Sequence, residues 1–225
     1  MLYHVLGFAS AALFLLTWLG LWSQIKAMAR YQVALGNNNS DDANYSLSLN
    51  QFGSSYFAFF SIFLFGISVE PFNHYLVWTR FGALILTLVI IWKIWQHRRT
   101  KVSRYVAFIA LVALIGGTVS IAFRPFPSLA QLGANTLMLV VTVILFQGSL
   151  HQWLVLQRRQ KVGSLSFALF RNILIKDVST LVFGLTMPLS QSWPLLILNG
   201  TSVIMRGSIL LQMHKLKRRE LPVSG

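Results

Sequence analysis

Apolar residues in this chain gather in continuous runs of about twenty, with no alternation between wet and dry faces. A helix rising about 1.5 Å per residue needs roughly 20 residues to cross a hydrocarbon layer of about 30 Å. Seven runs meet that need: Leu2 to Trp22, Phe52 to Ser68, Tyr75 to Ile94, Tyr105 to Phe123, Asn135 to Leu156, Leu165 to Met187, and Trp193 to Met213. They predict an all-α membrane protein with seven transmembrane helices, the second being the shortest. The longest polar interval, Val33 to Leu47, contains Asn37, Asn38, Asn39, Ser40, Asp41 and Asp42 without apolar periodicity and predicts a flexible loop.

Composition agrees: 55% of the 225 residues are hydrophobic, 11% are charged, and the mean hydropathy is +0.63. A soluble domain of this size needs more polar surface. The absence of cysteine excludes disulfide frameworks, thiolate metal sites and cysteine nucleophiles. The net charge of +14 is compatible with nucleic acid only if the basic residues form a patch, and they do not; they flank the apolar runs. Lys26 and Arg30 follow the first run, Arg98, Arg99, Lys101 and Arg104 the third, and Arg158, Arg159 and Lys161 the fifth, while Lys215, Lys217, Arg218 and Arg219 close the last. The opposite side carries only Arg124. The positive-inside rule then places the N-terminus outside and the C-terminus in the cytoplasm, with the plasma (inner) membrane as the expected location. The first run lacks a basic lead and a small-residue cleavage site, so it reads as a retained span.

The chain also repeats. One constant offset places Ser46, Leu47 and Ser48 on Ser164, Leu165 and Ser166, Phe52 on Phe170, Ser61 on Ser179, Phe65 and Gly66 on Phe183 and Gly184, and Gly82 on Gly200. A slightly longer offset, which absorbs the Asn/Asp-rich insertion, places Gly20 on Gly148, Gln24 on Gln152 and Arg30 on Arg158. Three spans per copy is an odd number, so two copies share one orientation only if another span separates them. The expected arrangement is 3+1+3, two parallel triple-helix repeats joined by a linker helix. Its parts are a first unit over 1–97, the linker and its flanks over 98–133, a second unit over 134–219 and a tail over 220–225.

At these residues the chain resembles the PQ-loop and SWEET superfamily of small-molecule carriers. That family has a Pro-Gln pair ending the first helix of each unit, a basic residue after it, a Ser opening the second helix and an aromatic-Gly pair near that helix's end. The matching positions are Ser23-Gln24 and His151-Gln152, Arg30 and Arg158, Ser48 and Ser166, and Phe65-Gly66 and Phe183-Gly184. Asn199-Gly200 resembles the Asn-containing segment that lines the sugar site of SWEET carriers, with Phe81 at the equivalent position of the first half. The resemblance implies a carrier working by alternating access. Ser23 and His151 replace both prolines, which removes the kink expected to let helix ends swing.

Candidate chemistry concentrates in the sixth span. An ionisable group inside a span costs about 2.5 to 3.5 kcal/mol and requires a partner or a wet path. Asn172, Lys176 and Asp177 lie there, whereas the aligned positions of the second span are uncharged. Asp177 sits roughly 18 Å into the span, near the midplane. Lys176 shares a face with Asn172 and Thr180, and it points about 100° away from Asp177, so those two need not pair. One reading makes Asn172, Lys176, Asp177 and Asn199 the substrate-binding lining of a central polar cavity, with Asp177 either pairing with a cation, for which Arg206 is the candidate, or exchanging a proton. The other makes the charges a buried ion pair that locks the sixth and seventh spans together. Arg171 and Arg206, about 10 Å from the interface, also admit snorkelling. Arg80 and Lys93 read as interface residues and Glu70 as a solvated loop acid. Trp18, Trp22, Trp78 and Trp92 either stack on a ligand or belong to the interfacial belts.

Enzymes find no support: His4, His74, His97, His151 and His214 lack metal-ligand spacing, and no paired-carboxylate, nucleophile-elbow or phosphate-loop motif occurs. No cofactor or metal is implied. The expected function is a uniporter or proton-coupled carrier of a small polar solute such as a sugar or amino acid. The alternative is a seven-span receptor or sorting protein that binds a peptide or partner without transport. Expected partners are the small-molecule substrate and membrane lipid, not nucleic acid, and the reading allows a homo-oligomer.

Overall fold

The computed structural model describes residues 1–35, 49–125, 128–160 and 167–220. They form seven α-helices: α1 Leu2–Leu35, α2 Leu49–Ser68, α3 His74–Arg98, α4 Lys101–Ser120, α5 Ser128–Arg159, α6 Phe167–Gly184 and α7 Leu189–Glu220, with a 3-10 segment at Ile121–Phe123 after α4. Each apolar run forms the body of one helix. Most helices extend beyond their run, because backbone hydrogen bonding continues into polar residues at the ends. Val33 to Leu35, expected in the loop, are the last residues of α1, and the rest of that loop lies outside the described residues. Both Ser-x-Ser segments, Ser46 to Ser48 and Ser164 to Ser166, also lie outside them.

Among the described residues five stretches are long and apolar enough to cross a membrane: Leu2–Lys26, His74–Arg98, Lys101–Phe123, Gln131–Arg158 and Leu189–Arg218. In α2 the apolar stretch is the shorter Phe52–Ser68. α6 is 18 residues long and is interrupted by Arg171, Lys176 and Asp177. Phe108, Ile109, Val112, Ile115 and Val119 leave a face of α4 apolar and more than half uncovered. Such a surface is costly in water and suited to lipid.

The chain divides into two compact units. One, Phe14–Asn135, holds most of α1, all of α2, α3 and α4, and the start of α5. Tyr56, Phe63 and Ile67 of α2, Val77, Leu84 and Ile91 of α3, and Ala107 and Ala110 of α4 form its core. The Tyr56 hydroxyl donates to the Ala110 carbonyl at 2.6 Å, so α4 is fastened to α2 by a polar bond inside the apolar core. α1 meets α3 where Met28 packs with Ile90 and Ile94, and Trp18 Nε1 donates to the Thr79 carbonyl at 2.8 Å.

Arg80 departs from its expected place at the interface. It is 1% exposed, its guanidinium lies 4.2 Å from the centre of the Phe14 ring, and Nη1 donates to Thr79 Oγ1 at 2.8 Å. The reason is register: Arg80, Ala83, Thr87, Ile90 and Ile94 follow helical spacing and are all buried. An arginine in that stripe faces protein, and the ring supplies it with a cation–π partner.

The other unit comprises Met1–Leu13 and Thr136–Gly225. Here the start of α1 packs on α6, with the Tyr3 and Phe183 ring centres 5.2 Å apart and the Ser10 and Thr180 hydroxyls 3.3 Å apart. Leu156 of α5 and Ile209, Met213 and Leu216 of α7 form a core cluster. Pro194 lies inside α7, so one backbone donor is missing from that helix.

The Phe-Gly pairs found in both halves have a shared steric basis. Phe65 is 1% and Phe183 0% exposed. A Cβ on Gly66 would come within 2.9 Å of Val77 Cγ2, and one on Gly184 within 2.9 Å of Leu196 Cδ2. The missing side chain lets α2 approach α3, and α6 approach α7, more closely than any other residue permits. Gly82 and Gly200 share the repeat position but not this role. A Cβ at Gly82 would overlap the Trp18 ring, which its bond to Thr79 holds in place, whereas Gly200 has open space. Gly82→Ala is expected to destabilise the protein by about 1 to 3 kcal/mol. Gly200→Ala is expected to be neutral or to stabilise it by up to about 1 kcal/mol. Thermal unfolding of the two variants in detergent checks this, and equal shifts would refute the steric argument.

Candidate functional site

α6 enters its unit with a polar stripe that the apolar stretch cannot satisfy, so partners must come from a neighbouring helix. α7 supplies them. Ser202 and Arg206 lie four residues apart on one face of α7 and meet Asp177 of α6. Asp177 is 3% exposed and lies about 15 Å along its helix from Phe167.

Both carboxylate oxygens are engaged. Lys176 Nζ lies 2.8 Å from Asp177 Oδ1. The Ser202 hydroxyl donates to Oδ2 at 2.5 Å, and Arg206 Nε lies 3.5 Å from the same oxygen. Arg206 Nε also donates to Ser202 Oγ at 2.9 Å. Ser202 therefore accepts from the guanidinium and donates to the carboxylate, a relay that only a hydroxyl of this size can make here. Two cations face one carboxylate, which leaves the cluster with a surplus positive charge. Lys176 and Arg206 remain 15% and 24% exposed at their side chains, while Asp177 is at 4%.

The geometry separates the residues singled out in the sequence. Lys176, Asp177 and Arg206 come together. Lys176 and Asp177 do pair, although adjacent helix positions diverge by about 100°, because the four-carbon lysine stem is long enough to turn back. Arg206 turns inward to Ser202 and Asp177 in place of snorkelling. Asn199 is 3% exposed, one turn before Ser202, and its Nδ2 donates to the Leu195 carbonyl at 2.8 Å. Asn172 is exposed, one turn before Lys176, and no bond joins it to the carboxylate among the described residues. Arg171 is exposed, and Gln24 and Gln152 are half-buried on α1 and α5.

Ser202 was not anticipated. A serine inside an apolar span carries no charge to mark it; the available signal was its spacing from Arg206. Thr180, one turn after Lys176, donates to the Lys176 carbonyl at 3.0 Å and also lies 3.3 Å from the Ser10 hydroxyl. Each tryptophan considered for stacking has a protein contact. Trp18 bonds to Thr79, Trp22 lies under Lys26, Trp78 donates to His74 Nδ1 at 3.1 Å, and Trp92 stands edge-on to Trp95. Glu70 is exposed in the turn between α2 and α3, and Lys93 is half-buried.

No protein-family model matches the chain, and no curated protein matches it. Among solved structures, that of a eukaryotic SWEET transporter superposes with a TM-score of 0.66 at 16% sequence identity, covering 97% of this chain and 100% of that one. An agreement spanning both chains almost end to end is agreement of fold. The chain is an integral membrane protein with a SWEET-like, PQ-loop-like fold, the fold that its repeated Phe-Gly and Gln positions resemble.

Proposed function

We propose that the protein is a membrane carrier that moves a small polar solute by alternating access, with Lys176, Asp177, Asn199 and Arg206 as its working polar groups and Asn172 at the wet end of the same stripe. The observation that carries this reading is the Asp177 cluster. A carboxylate, two cations and a hydroxyl are gathered between α6 and α7, where the repeat-related positions of α2 and α3 are the apolar Phe59, Leu84 and Leu88. A lock between two helices needs one pair of charges; a second cation on the same carboxylate suits a site whose partners exchange. The likeness to a SWEET transporter supports the carrier class, and fold alone is compatible with other functions.

In this reading the repeats are those of the sequence, 1–97 and 134–219, two triple-helix copies in a 3+1+3 arrangement with α4 as the linker. The basic ends face the cytoplasm, with the N-terminus outside and the C-terminus inside. Asp177 holds Arg206 and Lys176 in one state and yields one of them to the solute in another. A sugar or amino acid presents the hydroxyls or charged groups that Asn199 and the cations can recognise.

Reconstitution into proteoliposomes, with and without a proton gradient, tests the class. Saturable uptake of a sugar or amino acid is expected, and peptide binding without flux would assign a receptor instead. Asp177→Asn is expected to lower uptake more than tenfold at normal protein abundance; retained uptake would sink the proposed role. The same substitution leaves two half-buried cations uncompensated and is expected to cost stability, up to about 3 kcal/mol because both cations keep some exposure. Adding Arg206→Gln is expected to recover part of that loss in thermal unfolding without recovering uptake. Recovery of both would make the cluster a lock and nothing more.

A further inference from the structure

The turn between α3 and α4 gathers cations that the proposed carrier does not use. Arg99, Lys101 and Arg104 line a surface cavity of about 620 Å³ together with Trp92, Trp95, Gln96 and Thr100. A second cavity of about 310 Å³, bounded by Leu88, Val89, Trp92, Lys93 and Gln96, adjoins it, since Trp92 and Gln96 border both. We propose that this pair of cavities binds an anionic phospholipid, its phosphate among Arg99, Lys101 and Arg104 and an acyl chain along Leu88 and Val89.

Charge is the first argument. The three cations lie within six consecutive residues and converge on one concavity. Among the described residues none of them forms a salt bridge to a carboxylate. Guanidinium groups match phosphate oxygens through paired hydrogen bonds, so two arginines and a lysine around one hollow suit a phosphate.

Backbone conformation points to the same side chain. Arg99 ends α3 at φ 48°, in the left-handed region, with its N–H bonded to the Trp95 carbonyl at 2.8 Å. Glycine or asparagine occupies such a cap most easily. The arginine there brings a long cation to the cavity lining in a conformation that glycine would adopt at less cost and that Gln160 also adopts at the end of α5.

Depth selects lipid over a dissolved anion. Trp92 and Trp95 stand perpendicular with ring centres 4.6 Å apart, and tryptophan collects at the headgroup level of a bilayer. From Gln96 the second cavity follows α3 inward for about 12 Å to Leu88. Lys93 lies on that path, where its stem can run along apolar surface with its ammonium toward the headgroups. Free phosphate has no use for an apolar channel leading away from its charges; a phospholipid requires one.

Thermal unfolding of the purified full chain in detergent, titrated with dioctanoyl phosphatidic acid, dioctanoyl phosphatidylcholine or sodium phosphate, separates the sources. The acidic lipid is expected to raise the unfolding temperature saturably, and the other two are not. Neutralising Arg99, Lys101 and Arg104 together to Gln is expected to weaken the acidic lipid at least about tenfold. A tail-proximal variant (the tail variant), with Lys215, Lys217 and Arg218 at the C-terminal end of α7 neutralised, is expected to leave it within about twofold, on the same per-charge reasoning. Val89→Phe, which narrows the apolar channel at a partly exposed position, is expected to weaken the lipid even if the triple variant does not fold. The proposal is overturned by equal stabilisation from phosphatidylcholine, by phosphate acting as well as lipid, by the tail variant losing as much as the cavity variant, or by no stabilisation at all.

Discussion

A carboxylate buried at the middle of a helix is costly unless it is partnered, and Asp177 draws its partners from α6 and α7. That requirement fixes the register of α7 on α6. Ser202 and Arg206 must both face Asp177, and their spacing of one turn sets the rotation of α7 about its own axis. Gly184 then has to be small, because the rotation that presents Ser202 also brings Leu195 and Leu196 against it. The polar cluster and the glycine contact are two consequences of one packing arrangement.

The other unit meets the same requirement by different chemistry. There the buried ion is a cation, and Arg80 rests on an aromatic face with Thr79 beside it. Trp18 is fixed by the carbonyl of that same Thr79 and fills the space left by Gly82. The two units thus hold one charge by opposite charges and another against an aromatic ring. Phe65-Gly66 and Phe183-Gly184 match because both set helix spacing, whereas Asp177, Ser202 and Arg206 have Phe59, Leu84 and Leu88 at the aligned positions.

Helix number and approximate position were legible in the sequence because apolar run length is a direct reading of bilayer thickness. The Phe-Gly positions were legible because glycine leaves a mark wherever two helices approach closely. Arg80 was misread: near the end of a run, depth alone suggests an interfacial arginine, and only the buried stripe from Arg80 to Ile94 reveals that it faces protein. Lys176 and Asp177 were singled out but not paired, since helix geometry describes where stems begin and not where a flexible lysine ends. Ser202 left only its one-turn spacing from Arg206 as a trace, because a lone hydroxyl in an apolar span is ordinary until its partner is known.

Pro194 gives α7 a mechanical character that its counterpart α3 lacks, because the repeat position in α3 is Leu76. The proline cannot donate to the carbonyl one turn earlier, and one turn later Asn199 adds its side-chain donor to the Leu195 carbonyl. The helical ladder is thus thinned at one point and shared at the next, just before the stretch that presents Ser202 and Arg206. Compliance is built into the first turns of α7, about 12 Å along the helix before Ser202, so thermal bending of α7 will be concentrated there and not spread along the helix. With Ser23 and His151 in the first and fifth helices, the proline that softens a helix stands in the last one.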